Sequence, residues 1–426
     1  MELGVLSILI FLVLVCIGFP IGLALFMVAA AGIQYLVGLE KMLAISAPMF
    51  YNYIAKYEFS VIVMFVLLGH IGSQSGLFTD LFDVARKWFG RLPAGLAVSV
   101  VVAQSIFGAC SGSSVASCIV IGKSALPVMR KMGYPDELST GVIAGGGTLD
   151  VLIPPSVTMC IYGLLVDESI GKLLIGGFLP GALSAAVYII LIMIQSRHVP
   201  RDTVRYSLTE KILALRFLWV VAVIVMALIG GIYTGICTPT EGGAFGTFML
   251  FVLALMTGKV NRKMIWNSVR STITTTGMIL VIIVAAVLYA RFLTLCGFSH
   301  WMTDWVKDAA VPRIVVFLFI VAVYLVLGCF VGSTGMMVMT LPTFYPVMMS
   351  LGYDSIWFGI IVIIMCEMAF LTPPVGIALY ATKSLADDIP LSVIIRGAMP
   401  FVFRDLMIVA ILYIFPEIVT FLPDRM

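Results

Sequence analysis

Four short stretches of this 426-residue chain interrupt apolar segments with glycine, hydroxyl and carboxyl groups. The first is Phe107-Gly108-Ala109-Cys110-Ser111-Gly112-Ser113-Ser114. The second is Gly145-Gly146-Gly147-Thr148-Leu149-Asp150-Val151-Leu152-Ile153-Pro154-Pro155-Ser156. The third is Gly328-Cys329-Phe330-Val331-Gly332-Ser333-Thr334-Gly335, and the fourth runs from Glu367 through Thr372-Pro373-Pro374 to Gly376. None contains a nucleophile with a partner base or a set of metal-ligating imidazoles and thiolates. They suit reversible ion and anion binding instead. Glycine lets the backbone turn tightly, and interrupted helices expose unpaired amides and carbonyls. Amides at helix N-termini attract a carboxylate, whereas carbonyls and hydroxyls suit a hard cation such as sodium. The competing reading is close helix packing, which small residues also favour. Asp150 and Glu367 are ionisable groups inside apolar segments, where function is the default hypothesis. A paired or protonated structural Asp150 is the alternative, and Glu367 could bind a cation, accept a proton or pair with a helix-end amide.

These stretches come in two copies. Pro127-Val128-Met129, Gly133-Tyr134 and Pro154-Pro155 recur as Pro346-Val347-Met348, Gly352-Tyr353 and Pro373-Pro374, each 219 positions later. The same shift takes Ser114 to Ser333 and Thr148 to Glu367. Each proline doublet should break a helix, because proline lacks the amide and clashes with the preceding turn. Unwound backbone inside a membrane is tolerated only where it lines a cavity or is buried in protein. Repeats with broken helices are the design of many secondary transporters. The fifth patch, Gly235 to Ala244 with Thr238-Pro239-Thr240-Glu241, reads as a plain helix start.

The elements that must position these groups are membrane helices. Hydrophobic residues make up 62% of the chain, charged residues 11%, and mean hydropathy is +1.15. Apolar stretches long enough to cross a bilayer recur throughout, without the alternation of a barrel. No soluble domain or P-loop is present, so ATP is not an expected energy source. Val5 to Leu36 has neither a basic n-region nor a small-residue cleavage site and reads as a retained span. The 8 cysteines are scattered singly and read as packing residues; His70, within its apolar span, reads as a packed or helix-bonded imidazole, with proton relay as the alternative. The net charge of +3 says little about partners, and nucleic acid is not an expected one.

Basic clusters at Arg86-Lys87-Arg91, at Lys123-Arg130-Lys131, along Arg197, Arg201, Arg205, Lys211 and Arg216, and along Lys259, Arg262, Lys263 and Arg270 are placed in the cytoplasm. The expected fold is an all-α integral membrane protein of roughly eleven transmembrane helices. Residues 1–58 form an N-terminal scaffold span and interfacial segment. Residues 59–194 form the first repeat, with a re-entrant hairpin at 93–128 and a broken helix at 137–163. A basic loop and connecting scaffold spans occupy 195–276. Residues 277–426 form the second repeat, with a hairpin at 313–346, a broken helix at 356–383 and a last span from about Asp405 to Phe421. Five crossings separate Phe59 from Gly277, and an odd number inverts one copy relative to the other. Asp80 to Phe89 and Trp301 to Asp308 mix charge with tryptophan and read as interfacial helices.

Together with Gly18-Phe19-Pro20-Ile21-Gly22, the stretches FGACSGSSVAS, GGTLDVLIPPS, GIYTGICTPTEGGA and LTPPVG resemble segments of the large membrane subunit of TRAP (tripartite ATP-independent periplasmic) transporters, in that family's order and over nearly the whole chain. The resemblance implies an elevator-type secondary importer in the bacterial inner membrane, with sodium as coupling ion, no other cofactor and no enzymatic activity. It implies an organic acid substrate such as a dicarboxylate, a sialic acid or a keto acid. A soluble periplasmic binding protein and a small four-helix membrane subunit are the implied partners, with membrane lipid around them. Carried over by motif, the substrate and sodium region comprises Ser111, Gly112, Ser113, Ser114, Gly145, Gly146, Gly147, Thr148, Ser333, Thr334, Glu367 and Thr372, beside Asp150, Pro154, Gly332 and Pro373 at the breaks. Sodium falls to Ser113, Ser114, Thr148, Ser333, Thr334 and Thr372. The chain departs from the family in having Asp150 where glycine is common. It also lacks an acidic residue near Gly332 and an asparagine near Ala378. A stand-alone sodium–dicarboxylate or citrate symporter of inverted-repeat design is the alternative reading.

Overall fold

The structure is a computed structural model that describes residues 2–202, 204–215, 218–308 and 311–426. Arg216 of the third basic cluster and Phe217, the expected start of one span, lie outside the described residues. Every regular element among the described residues is helical. Among the described residues, five helices are long and apolar enough to cross a bilayer: Tyr57–Ser75, Ile170–Gln195, Pro239–Met256, Arg262–Leu295 and Leu391–Ile414. Shorter apolar helices include Glu2–Cys16, Ile21–Val37, Gly95–Ser111, Val157–Val166, Arg313–Gly328 and Ser355–Met368.

The repeat read from the sequence is written in the helix bounds. Helices Ser114–Lys131 and Asp136–Gly146 start 219 positions before Ser333–Ser350 and Ser355–Met368. The correspondence reaches outside the expected repeats, because Ile21–Val37 matches Pro239–Met256 in position and length to within one or two residues. Left-handed glycines punctuate both copies at matching points. Gly38 (φ 87°) and Gly258 (φ 68°), Gly76 (φ 62°) and Gly297 (φ 73°), and Gly133 and Gly352 (both φ 77°) each end a helix where a side chain would be strained.

Each copy contains two helices joined by a short turn. Gly95–Ser111 and Ser114–Lys131 meet at Gly112 and Ser113, and Arg313–Gly328 and Ser333–Ser350 meet at Cys329 to Gly332. Gly112 turns with φ 56°, and Ser113 caps the second helix by accepting from the Ala116 amide. Each copy also contains a broken helix. Asp136–Gly146 tightens into a 3-10 turn over Gly147–Val151, bends at the first proline doublet and resumes at Val157–Val166. Ser355–Met368 stops, bends at the second doublet and resumes at Ile377–Lys383. Both Pro–Pro bonds are cis.

Two expectations from hydropathy shift. The span expected to begin at Gly277 belongs to one helix of 34 residues, Arg262–Leu295. Hydroxyls in its polar first half bond back to the preceding turn, as Thr272 does to the Ser268 carbonyl at 2.7 Å, so these polar side chains are satisfied within the helix itself. The last span is Leu391–Ile414 rather than Asp405 to Phe421. Arg404 and Asp405 lie inside it, 5% and 4% exposed, and charges held by neighbouring helices are invisible to a hydropathy reading. Thr238 and Glu241 form a full capping box at the start of Pro239–Met256, as the sequence indicates.

Most buried apolar side chains join one core around the hairpins and broken helices. A second core joins Glu2–Cys16 and Ile21–Val37 to the later half of Arg262–Leu295 through Phe11, Leu25, Tyr289 and Phe292. Asp136–Gly146 crosses Leu391–Ile414 at backbone contact, since a Cβ on Gly141 would fall on the Gly397 carbonyl oxygen. Charges tie the helix ends. Arg130 donates to Asp136 at 2.7 Å and to Asp388 at 2.8 Å, and the guanidinium holds the Asp388 carboxyl below the usual carboxylate range. Arg86 on the interfacial helix Leu81–Phe89 donates to Asp202 at 2.6 Å. Burial pushes the Asp202 carboxyl up, but the bonds from Arg86 and the Val204 amide outweigh it and bring it below its ordinary value.

Candidate functional site

Both turns and part of each broken helix converge on one cavity of about 290 Å³. Three helices begin there. Ser113 and Ser114 open Ser114–Lys131, Ser333 and Thr334 open Ser333–Ser350, and Val157 and Thr158 open the helix after the first break. Their free N–H groups make the wall positive in character and suited to a carboxylate. Two helices end there as well, Gly95–Ser111 at Ser111 and Ser355–Met368 at Glu367, and their C-terminal ends are negative in character. Carbonyls and hydroxyls at helix C-termini suit a cation. The cavity can therefore hold an anion and a cation side by side, each lowering the cost of carrying the other through a medium of low dielectric.

One hydrogen bond closes the site between the copies. The Ser114 hydroxyl donates to Glu367 Oε2 at 2.9 Å, joining the first turn to the second broken helix. Both residues are buried, and Glu367 Oε1 has no partner among the described residues. Close backbone contact holds the wall in place. Gly69 on Tyr57–Ser75 sits so near Ser111 that a Cβ would fall on its carbonyl oxygen, and a Cβ on Gly112 would approach the Pro155 carbonyl to 3.2 Å.

The structure brings Ser111, Gly112, Ser113, Ser114, Ser333, Thr334 and Glu367 together around the cavity. The other candidates lie outside its lining. Gly145, Gly146 and Gly147 make room for Phe401, Gln104 and Cys118, since a Cβ at each would strike those side chains. The Thr148 hydroxyl donates to the Gly145 carbonyl at 2.7 Å and lies 3.3 Å from the Tyr188 hydroxyl, which donates to Asp405 at 2.6 Å. Asp150 is fully buried against Gly108 and beside Ser117, and neither carboxyl oxygen meets hydrogen-bond geometry with a partner among the described residues. Pro154 is buried in the first bend, and Pro373 is half-buried in the second. Gly332 caps its helix, and Thr372 donates to the Met368 carbonyl at 2.8 Å.

Some lining residues escaped the sequence reading. His70 and Ser73 on Tyr57–Ser75, and Thr275 on Arg262–Leu295, face the cavity from the surrounding helices. His70 Nε2 lies 3.4 Å from Thr275 Oγ1. The signal that marks His70 in the sequence is an ionisable ring within an apolar span.

The family profile described as tripartite ATP-independent periplasmic transporter, DctM component, matches residues 8–418. The chain belongs to this family. Among its relatives, the C4-dicarboxylate TRAP transporter large permease protein DctM of Pseudomonas aeruginosa is 33% identical over 86% of this chain and 84% of its own length. The sialic acid TRAP transporter large permease protein SiaM of Vibrio cholerae is 26% identical over 96% of this chain and 95% of its own. In fold, this TRAP permease is similar to the crystal structure of the Alcanivorax borkumensis YdaH transporter, with a TM-score of 0.65 over 97% of this chain and 99% of that one at 15% identity. A TRAP large permease is an inner-membrane transport protein and not an enzyme.

Proposed function

We propose that the chain imports a carboxylate-bearing organic acid across the inner membrane, driven by sodium. The observation that carries this reading is the cavity where helix N-termini and C-termini of both copies meet around Ser114 and Glu367. Relatives are named for C4-dicarboxylates and for sialic acid, and both substrates bear carboxylates. The carboxylate sits at the N-termini of Ser114–Lys131 and Ser333–Ser350, with sodium at the hydroxyls and carbonyls of Ser113, Ser114, Ser333 and Thr334 and the free oxygen of Glu367. Thr148 and Thr372 serve from the breaks behind them. The two copies are inverted within roughly eleven spans. Hairpins and broken helices move together as an elevator against the remaining helices and a small four-helix membrane subunit, and a periplasmic binding protein delivers the substrate.

Uptake by the reconstituted complex, with its binding protein, tests the reading against a panel of labelled carboxylates. Accumulation is expected only with an inward sodium gradient and only with the binding protein present. Uptake that persists unchanged without the gradient rejects sodium coupling. Full uptake without the binding protein favours the stand-alone symporter.

A further inference from the structure

A second polar site lies away from the transport cavity. Helices Ile170–Gln195 and Leu391–Ile414 pack together and leave a depression of about 370 Å³, bordered by Gln195, Arg396, Phe403, Arg404 and Met407. Arg404 is 5% exposed, although it lies midway along an apolar helix. Its Nη2 donates to Gln195 Oε1 at 2.6 Å, but Nε and Nη1 have no acceptor among the described residues. Asp405, the next residue, attracts the guanidinium but shares no hydrogen bond with it: one carboxyl oxygen accepts from Tyr188 and the other has no partner among the described residues. The Phe401 ring lies 4.2 Å beneath the guanidinium and holds it toward Gln195. Arg396 stands exposed at the rim, its Nε directed only to the Ser392 carbonyl at 3.4 Å.

A nearly buried guanidinium with idle donors calls for an anion, because an unpaired charge in a dry site is costly. The geometry narrows the choice. Gln195 ends its helix, and Arg197 and Arg201 follow at once, so the depression opens at the basic end of the bundle. Arg404 extends its stem along the helix toward that end, as long basic side chains in membranes do. Below the two guanidiniums the border turns apolar, with Phe403 69% and Met407 39% exposed. Charge at the rim and exposed apolar surface beneath it match a phosphodiester carrying acyl chains better than a small soluble anion. Guanidinium forks bind phosphate oxygens in pairs.

We infer that this depression binds the headgroup phosphate of an anionic phospholipid in the cytoplasmic leaflet, through Arg404, Arg396 and Gln195. The site is separate from the transport cavity and does not depend on the substrate or the coupling ion.

The test is lipid retention by the full-length protein, purified from vesicles of mixed phosphatidylethanolamine and phosphatidylglycerol and weighed intact in the mass spectrometer. The wild type should retain phosphatidylglycerol in preference to phosphatidylethanolamine. Arg396→Gln, at the exposed rim where folding is not at stake, should weaken that retention about fivefold. Arg404→Lys keeps the charge but removes the fork, and should weaken it further. Excess inorganic phosphate should leave the lipid bound. Equal retention of the two lipids, equal retention by wild type and Arg396→Gln, or displacement by inorganic phosphate as from a simple anion site would each overturn the inference.

Discussion

The contact between Ser114 and Glu367 gives the sharpest test of a site shared by the two copies. The bond is 2.9 Å long, and its partners are 4% and 2% exposed. A hydrogen bond to a charged group contributes about 1.5–3 kcal/mol, and burial puts this one in the upper part of that range. Glu367 Oε1 has no partner among the described residues, so Ser114→Ala removes the one side-chain bond they give this carboxyl. Glu367→Gln keeps an acceptor for the Ser114 hydroxyl but removes the charge offered to a cation. At about 1.4 kcal/mol per factor of ten, Ser114→Ala should raise the sodium concentration for half-maximal uptake about tenfold or more. The assay is initial uptake by proteoliposomes across a range of external sodium, for each single variant and the double variant. The cycle should show a coupling of about 1–1.5 kcal/mol, the difference between a bond to a charged carboxylate and the neutral bond that Glu367→Gln retains. Strictly additive effects, or an unchanged sodium requirement in Ser114→Ala, would refute the reasoning that this bond shapes the ion site.

Two further outcomes follow from the packing and the charges. Gly141→Val places a side chain on the Gly397 carbonyl oxygen, whereas Gly133→Ala meets nothing within 4 Å and carries only the strain of φ 77°. The first should lower the melting temperature in detergent well beyond the second, since overpacking costs about 1–3 kcal/mol; equal melting temperatures would sink the claimed backbone contact. Asp202 is held below its ordinary value by Arg86 and the Val204 amide, so its stabilisation is present above the unfolded value of about 3.9 and is lost as pH falls through the lower folded value. The melting temperature of Asp202→Asn should therefore trail the wild type at neutral pH, with the gap closing below about pH 4; a gap that does not change with pH would count against this ion pair.

Membrane class, the two copies, the helix breaks and the family were all legible in the chain, because each rests on local chemistry. Apolar runs, glycines needed at left-handed turns and proline doublets act on their own neighbourhoods, and a constant shift of 219 positions ties Ser114 to Ser333 without any structure. The helix start near Thr238 was legible for the same reason, since Thr238 and Glu241 lie within one helical turn. Contacts between distant segments were beyond reach. Sequence spacing could not show that Ser114 meets Glu367, that Thr148 turns toward Tyr188 and Asp405 instead of the cavity, or that His70 faces it. Nor could it place Arg404 and Asp405 inside a span, since hydropathy counts a charge as exposed until a neighbouring helix shields it. Periodicity and turn chemistry determined which segments became helices and where they broke; only tertiary packing, through close backbone approach at glycines and bonds between copies, decided which of their polar groups share one space.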